Sequence, residues 1–311
     1  MPPLATPENP GVLNWVLVLT LSVIWGAAFL SVRVALDGFG PWQVAALRTL
    51  IAAGVLFGAS LVFGQGPQTI KGGRAWAYMI GIGTVSIAPP FLLLSWGQQY
   101  IPSAFAGVAM GAVPLLVLPL VAIFSPEEGI GPRRIIGVIL GFIGLMILLG
   151  PKALEFQTAG AAFWGQVACI GAAGCYALGS VATRRAPKVP PLAMAFSTMA
   201  IAAVVLVPLA MWQEGWPTEW PLGATTGLLY AALGPTALAA VIRIRIITTA
   251  GSVFMSITSY LVPVWSVIFG VILLSEDLPA RLFIALAVIL TGIGLSQSRA
   301  LQAAWALRRS V

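Results

Sequence analysis

Histidine is absent from this 311-residue chain, and only nine of its residues are acidic. Ser-His and Cys-His catalysis and the HExxH zinc motif all need a histidine, and an aspartyl protease would need paired aspartates inside a membrane, whereas Asp37 and Asp277 lie at the ends of apolar segments. No GxxxxGK[ST] phosphate loop is present. Cys169 and Cys175 lie six residues apart on one predicted helix and face different directions, which argues against a disulfide or a metal pair. We therefore predict no catalytic residue, no metal site and no cofactor.

Charge of either sign is scarce, at 8% of the residues, whereas 59% are hydrophobic. A soluble protein of this length could not cover its surface with so few polar groups. Apolar stretches of about 18 or more residues recur along the chain, and each is long enough to cross roughly 30 Å of hydrocarbon as a helix. The apolar residues run continuously instead of alternating, which predicts helices and not barrel strands. We predict ten spans, at residues 14–35, 42–63, 76–99, 103–124, 133–150, 160–182, 191–212, 224–246, 251–274 and 280–298.

The net charge of +7 comes from short basic clusters at the ends of these spans. Such clusters are typical of the positive-inside rule, so we predict contact with membrane lipid and no nucleic-acid partner. Only Glu8 and no basic residue precedes the first span, and we expect this span to be retained instead of cleaved as a signal peptide. With both termini in the cytoplasm, the opposite side receives only Arg33, Lys152 and Arg281. The cytoplasmic side then receives Lys71, Arg74, Arg133, Arg134, Arg184, Arg185, Lys188, Arg243, Arg245, Arg299, Arg308 and Arg309.

An internal repeat recurs at a spacing of about 149 to 151 residues. The stretch AMGAVP (109–114) aligns with TSYLVP (258–263), and GFIGL (141–145) aligns with TGIGL (291–295). The repeat predicts a first five-helix unit at 13–151 and a second at 152–298, with cytoplasmic tails at 1–12 and 299–311. It pairs Pro114 with Pro263, Trp25 with Tyr176, Arg33 with Arg184, and the acidic pair Glu127 and Glu128 with Glu276 and Asp277.

Each unit holds five spans, an odd number, so corresponding helices must cross the membrane in opposite directions. The fold class predicted is therefore an all-α integral membrane protein, with ten transmembrane helices in two inverted-topology repeats. Inverted repeats are the architecture of many secondary transporters, whose substrate site lies near the membrane midplane between the halves.

Prolines inside spans remove backbone hydrogen bonds and bend helices, which membranes tolerate where the helix lines a cavity or contacts protein. Their concentration in spans three, four, eight and nine indicates that these four helices surround a pathway, although ordinary membrane-helix proline is the alternative. Glycine pairs four residues apart, at 54 and 58, 107 and 111, and 137 and 141, indicate close helix packing. The candidate pathway prolines are Pro89, Pro90, Pro114, Pro235 and Pro263.

Arg48 is the one strongly charged side chain well inside a predicted span. A guanidinium at that depth is costly unless it faces a polar cavity or a partner. Two interpretations stay open: Arg48 attracts an anionic group of a substrate, such as a carboxylate, or it reaches the outer interface or binds carbonyls of a broken helix. No acidic residue lies deep in a span, which argues against a proton or sodium relay and favours facilitated diffusion or exchange.

Aromatic residues with a hydrogen-bonding tip are numerous within the spans, and they suit an apolar or aromatic solute with a polar end. Core packing or an interfacial belt remains the alternative for each one. Uncharged polar groups near the outer end of span three and within span nine add further contacts, namely Gln98, Gln99, Ser256, Thr258 and Ser259. The candidate substrate-binding residues of these kinds are Trp25, Tyr78, Trp96, Gln99, Tyr176, Ser256, Ser259 and Tyr260, alongside Arg48 and the five prolines.

The chain resembles the drug/metabolite transporter superfamily in its ten-helix EamA-type branch. The resemblance rests on WGAAF at 25–29, on a Pro followed by a Glu near the end of each half (Pro114 with Glu127, Pro263 with Glu276), and on the Gly-rich closing helices. It looks most like bacterial aromatic amino acid exporters, which implies an inner membrane location and outward movement of aromatic or other amino acids, and of aromatic cations, as small-molecule substrates. Alternatives are a broad-specificity drug/metabolite exporter, a nucleotide-metabolite-type permease, a channel or a membrane enzyme. We expect a monomer, since one chain holds both halves.

Overall fold

The computed structural model describes residues 11–124, 132–150, 160–255 and 257–306, and all regular structure in these ranges is helical. A short 3-10 turn lies at Pro67–Thr69, and two π segments lie at Ile82–Ile87 and Leu233–Leu238. The thirteen α-helices of the described ranges are α1 (Gly11–Ala35), α2 (Pro41–Val62), α3 (Gly73–Gly81), α4 (Ala88–Gly97), α5 (Ser103–Gly111), α6 (Val113–Phe124), α7 (Pro132–Leu149), α8 (Ala161–Arg185), α9 (Pro191–Gln213), α10 (Leu222–Ala232), α11 (Ala239–Met255), α12 (Thr258–Leu274) and α13 (Ala280–Ala306).

Seven helical segments of the described residues are long and apolar enough to cross a membrane. They cover 11–35, 41–62, 73–97, 103–120, 161–185, 191–213 and 222–247, and three shorter apolar helices lie at 135–149, 258–274 and 280–296. The predicted all-helical membrane fold is confirmed. The number of ten spans stays a prediction, because the apolar stretches at 135–149, 258–274 and 280–296 are each shorter than 18 residues.

The surface and the interior differ in the way that a lipid environment requires. Large apolar side chains such as Val12, Val204 and Ile272 are exposed, whereas the buried set is rich in alanine, glycine and serine. Apolar burial gives helices little reason to associate in lipid, and small residues allow the close backbone contacts that hold them together. In the described residues, the packed core and the outward apolar face are therefore consistent with a multi-pass membrane protein.

Helices of the first half pack against helices of the second half, and corresponding helices of the two halves make corresponding contacts. Helix α2 packs along α9, and α7 packs along α13. Helix α1 contacts α10 and α12, and α8, which corresponds to α1 in the second half, contacts α4 and α6. A twofold relation between the halves produces such reciprocal contacts.

Both π segments interrupt corresponding helices at the same repeat spacing. The first lies between α3 and α4, the second lies between α10 and α11, and their first residues, Ile82 and Leu233, are 151 positions apart. A π segment widens the backbone turn and leaves carbonyl groups without their usual partners. The two π segments therefore lie in equivalent helices of the two halves, and both helices belong to the predicted pathway.

The predicted boundary between spans eight and nine differs from the structure. We predicted a break between residues 246 and 251, but α11 continues to Met255 and α12 begins at Thr258. The sequence between residues 239 and 255 contains no proline, so nothing in it ends the helix. In the first half, by contrast, Pro102 directly precedes α5 and marks the turn.

The three glycine pairs have different environments. A Cβ at Gly111 would lie 2.8 Å from Pro263 in α12, and a Cβ at Gly137 would lie 2.6 Å from the Gly292 carbonyl in α13. Gly54 and Gly58 have open space where a side chain would lie, and both are exposed. The packing interpretation therefore fits two of the pairs, while the pair on α2 faces outward.

Candidate functional site

A central cavity of about 1360 Å³ lies between the two halves. The four helices that the proline pattern indicated all contribute to it, and so do α1, α2, α8 and α9. Prolines mark bent helices, and they give no signal for straight helices that face the same space. The cavity is therefore surrounded more completely than the sequence indicated.

Seven of the predicted site residues line this cavity together, although they come from both halves of the chain. Two carry aromatic rings, one carries the buried guanidinium, one is a serine, and three are prolines that bend the surrounding helices. They are Trp25, Arg48, Pro114, Tyr176, Pro235, Ser259 and Pro263.

The other predicted site residues do not line the cavity, and Ser256 lies outside the described residues. Pro89 and Pro90 lie at the start of α4, directly after the first π segment. Tyr78 packs in a cluster around Met79 and Ala193, and Tyr260 packs against the core around α5 and α13. Gln99 is exposed, its amide donates to the Trp96 carbonyl, and the Trp96 ring packs edge-on against Tyr100.

The Arg48 guanidinium is buried in the centre of the structure, with 8% of the residue exposed. Its Nε donates a hydrogen bond to Thr236 Oγ1 at 3.1 Å, and its Cζ lies 4.1 Å from the centre of the Phe91 ring. Among the described residues, no carboxylate lies within salt-bridge distance, and the two Nη groups donate no hydrogen bond. A cation–π contact contributes only about 0.5–2 kcal/mol, which is small against the cost of burying a charge.

The second π segment supplies the partner of Arg48. Pro235 has no N–H, so it leaves the carbonyl of Ala231, four residues earlier, without its helical partner. The Thr236 hydroxyl donates to that carbonyl at 2.9 Å and accepts from Arg48 through its remaining lone pair. Arg48 is therefore buried and contacts the interrupted helix through a hydroxyl and not through a freed carbonyl, and both interpretations of its role stay predictions.

Trp25 and Tyr176 occupy corresponding places on α1 and α8. The Trp25 indole Nε1 donates to the carbonyl of Pro235 at 3.0 Å, within the second π segment. Tyr176 lies close enough to Arg48 for an electrostatic interaction between the phenol and the guanidinium. Two aromatic rings from equivalent positions therefore border the same central space as the buried cation.

Charge in the cavity has one sign among the described residues. Arg48 lies at the centre, and Arg133, Arg184 and Arg243 line one end, which we call the basic mouth. All three arginines of the basic mouth are exposed, and no acidic residue is among the described lining residues. Such a distribution produces a positive potential that concentrates anions and repels cations.

The end of the cavity opposite the basic mouth is closed by contacts between the halves, and we call it the outer closure because the positive-inside rule predicts that it faces away from the cytoplasm. Glu276 accepts hydrogen bonds from the backbone N–H groups of Ser103 and Ala104 at the start of α5. Glu214 accepts from the N–H of Gln43 at 3.0 Å, at the start of α2. Carboxylates at helix N-termini bind unpaired N–H groups and the positive end of the helix dipole.

Sequence reasoning missed several residues that complete the site. Thr236 adjoins a proline in a predicted span, and that adjacency was the available signal for a hydroxyl near a freed carbonyl. Phe91 and Leu94 line the cavity from the face of α4 that leads to Gln98, which the sequence indicates as a polar contact, at spacings of three and four residues. Their helical spacing was visible in the sequence, but it did not reveal which face met the cavity.

Comparisons with known proteins agree with this architecture. The profile of the EamA-like transporter family matches the chain twice, at residues 13–150 and 163–297. A solved crystal structure shares the fold, with a TM-score of 0.66 and 23% identity, and the match covers 92% of this chain and 98% of that chain.

Two relatives have names that refer to amino acids. A probable terminal-alkyne amino-acid exporter of Streptantibioticus cattleyicolor is 27% identical over 298 residues, which is 92% of this chain and 94% of the relative. The aromatic amino acid exporter YddG of Ancylobacter novellus is 27% identical over 222 residues, which is 71% of this chain and 74% of the relative. Because the two profile matches take up most of its length, the chain belongs to the EamA-like transporter family and is a multi-pass membrane transporter of small molecules.

Proposed function

We propose that this transporter exports small amphipathic metabolites that carry a carboxylate, amino acids and in particular aromatic ones, by alternating access at the central cavity. The observation that carries the proposal is the buried guanidinium of Arg48, which has no carboxylate partner among the described residues, lies over the Phe91 ring and lines the same cavity as Trp25 and Tyr176. Charge-assisted hydrogen bonds to a substrate carboxylate would satisfy the Nη groups. The rings of Phe91, Trp25 and Tyr176 would contact the apolar body.

Uncharged polar residues that line the cavity can form hydrogen bonds with the amino group of a solute. Ser86, Thr258 and Ser259 offer hydroxyl oxygens to the cavity, and the described lining offers no carboxylate that would hold a cation strongly. A zwitterion therefore gains more from its carboxylate than from its ammonium group. The names of the two exporters from Streptantibioticus cattleyicolor and Ancylobacter novellus support an amino acid as the solute.

The proposed direction follows from the charge of the two ends. By the positive-inside rule, the basic mouth faces the cytoplasm and both termini lie there, in the bacterial inner membrane. The structure is then the state that loads from the cytoplasm. The two units, 13–151 and 152–298, rock about the shared cavity within one monomer, and the tails 1–12 and 299–311 remain cytoplasmic. Because no deep carboxylate is present in the sequence, exchange or facilitated diffusion moves the solute.

A panel of three related solutes tests the proposal in liposomes that contain the purified protein. Phenylalanine carries a carboxylate and an ammonium group, phenylpropionate lacks the ammonium group, and phenethylamine lacks the carboxylate. We expect saturable counterflow of the first two, and about tenfold weaker transport of phenethylamine, since a hydrogen-bonded charge contributes about 1.5–3 kcal/mol. A linear, unsaturable flux would indicate a channel.

The Arg48→Met variant separates recognition from folding. It should reduce phenylalanine counterflow about tenfold and leave the weak phenethylamine flux unchanged, because only the carboxylate contact is lost. Arg33→Met is the matched control, since Arg33 pairs with Asp37 on the exposed end of α1, away from the cavity. An equal loss of all three solutes in Arg48→Met would assign Arg48 a structural role and overturn the proposed recognition.

One observation favours a second candidate, a broad-specificity drug or metabolite exporter. The cavity of about 1360 Å³ exceeds the roughly 300–1,000 Å³ usual for small-molecule sites. If the second candidate is right, nucleotide-sized anions should inhibit phenylalanine counterflow as strongly as aromatic amino acids do. Competition restricted to amino-acid-sized carboxylates would favour the first proposal.

A further inference from the structure

An amide without a partner lies where the cavity meets the outer closure. Gln98 directly follows α4, lines the cavity and is completely buried, with 0% of the residue exposed. Neither its Nε2 nor its Oε1 has a hydrogen-bond partner among the described residues. Buried side-chain amides are nearly always hydrogen bonded, so each such exception calls for an explanation.

The position of Gln98 relative to Arg48 is fixed by one helix. Phe91, Leu94 and Gln98 lie on the same face of α4 and its end, and the Arg48 guanidinium lies over the Phe91 ring. Seven residues separate Phe91 from Gln98, which is about 10 Å along a helix axis. This separation is comparable with the length of an extended tyrosine from carboxylate to phenol oxygen.

We propose that Gln98 is a specificity-determining residue that hydrogen bonds to a polar group at the far end of a solute whose carboxylate contacts Arg48. The proposal rests on the proposed function and adds the substrate class, aromatic amino acids that carry a hydrogen-bonding group on the ring. The amide both donates and accepts, so it fits a phenol or an indole N–H. A plain phenyl ring at that place would leave the amide buried and unpaired, and sites of this kind discriminate strongly against such analogues.

The test compares tyrosine with phenylalanine, which differ by one hydroxyl, in counterflow by the liposome-reconstituted protein. The wild type should show a half-saturation concentration for tyrosine about tenfold below that for phenylalanine. Gln98→Met, which keeps the length of the side chain and removes its polar atoms, should abolish this preference by weakening tyrosine and not phenylalanine. Gln99→Met is the matched control, because Gln99 is adjacent, exposed and outside the cavity.

A second measurement keeps the proposal falsifiable if transport is low. Because the amide of Gln98 has no partner to lose, Gln98→Met should melt at the same temperature as the wild type or higher, and tyrosine should raise the melting temperature of the wild type more than that of the variant. An unchanged tyrosine preference in Gln98→Met, or an equal loss for both amino acids, would overturn the proposal. If neither amino acid were transported or bound by the wild type, the proposed function itself would fail.

Discussion

The two ends of the cavity differ in charge and in how they are held. The basic mouth presents three exposed arginines and no acid among the described lining residues, whereas the outer closure is held by two carboxylates, Glu214 and Glu276. Both carboxylates belong to the second half of the chain, and both helix starts that they cap belong to the first half. The outer closure is therefore a contact between the halves, and it must break when that end opens.

Under the proposed alternating access, the difference means that the open end attracts the solute and the closed end sets the balance between conformations. Charges at an exposed mouth act at long range and are screened by salt. Hydrogen bonds from backbone N–H groups to a carboxylate act only at contact. Changes at the outer closure should therefore alter conformation, while changes at the basic mouth should alter solute encounter.

The largest expected effect comes from Gly107 in α5, next to the outer closure. An added Cβ would overlap the side chain of Ser266 in α12. Gly107→Ala should hold the halves apart and reduce phenylalanine counterflow about tenfold, since overpacking costs about 1–3 kcal/mol. The counterflow rate measures the loss, and combining the change with Ser266→Gly should restore the rate by making space.

Gly54→Ala serves as the control for that change, because a Cβ at Gly54 meets open space. It should leave counterflow at the wild-type rate. Wild-type activity in Gly107→Ala, or failure of the Ser266→Gly combination to rescue it, would break the link between close packing at this end and transport.

A smaller effect is expected from Glu276→Gln, which removes the charge and keeps the shape. Hydrogen bonds to a charged acceptor contribute about 1 kcal/mol more than neutral ones, and the amide nitrogen cannot accept from the second N–H group, so the population with an open outer end should rise at least about fivefold. A cysteine in place of Val32, a buried residue of the cavity, reports this opening by its labelling rate with an impermeant maleimide from outside. The native Cys169 and Cys175 are first replaced by serine.

Glu219→Gln is the matched control, since Glu219 is an exposed carboxylate near the same end. Its labelling rate should equal that of the parent protein. If Glu276→Gln labelled no faster than Glu219→Gln, the carboxylate cap would not set the conformational balance.

The smallest effect is expected at the basic mouth. Arg243→Gln removes one of its exposed charges and should raise the half-saturation concentration of phenylpropionate about threefold at low ionic strength, with little change in maximal rate. The difference should vanish in about 1 M salt, where the Debye length is about 3 Å. A salt-independent effect would assign Arg243 a direct contact with the solute instead of a long-range attraction.

Much of the fold could be predicted, because hydropathy and the internal repeat are visible in the sequence without knowledge of any tertiary contact. Continuous apolar runs predicted the helices, and Trp25, Tyr176, Pro114 and Pro263, which the repeat pairs, line the cavity. The end of α11 was misplaced, because a helix without a proline has no clear stop signal.

The candidate site could be predicted only in part, because its contacts join distant segments. Arg48 and Thr236 are 188 residues apart, and the caps of the outer closure join residues more than 170 positions apart. Single-sequence patterns give the periodicity of a helix but not its rotation against its neighbours. Tyr78 and Tyr260 were therefore expected in the cavity and lie outside it, whereas Phe91, which was not predicted, lines it.

The most direct test of alternating access labels both ends of the cavity in one experiment. Cysteines at Ser180, an exposed residue of the cavity, and at Val32, each in the cysteine-free background, are exposed to impermeant maleimide from either side of the membrane. We predict that Ser180→Cys labels only from the cytoplasmic side, that Val32→Cys labels from outside only while the outer closure is open, and that a crosslink holding one end shut raises labelling at the other. Labelling at one end that does not change when the other end is crosslinked shut would describe independent gates, as in a channel, and contradict the account.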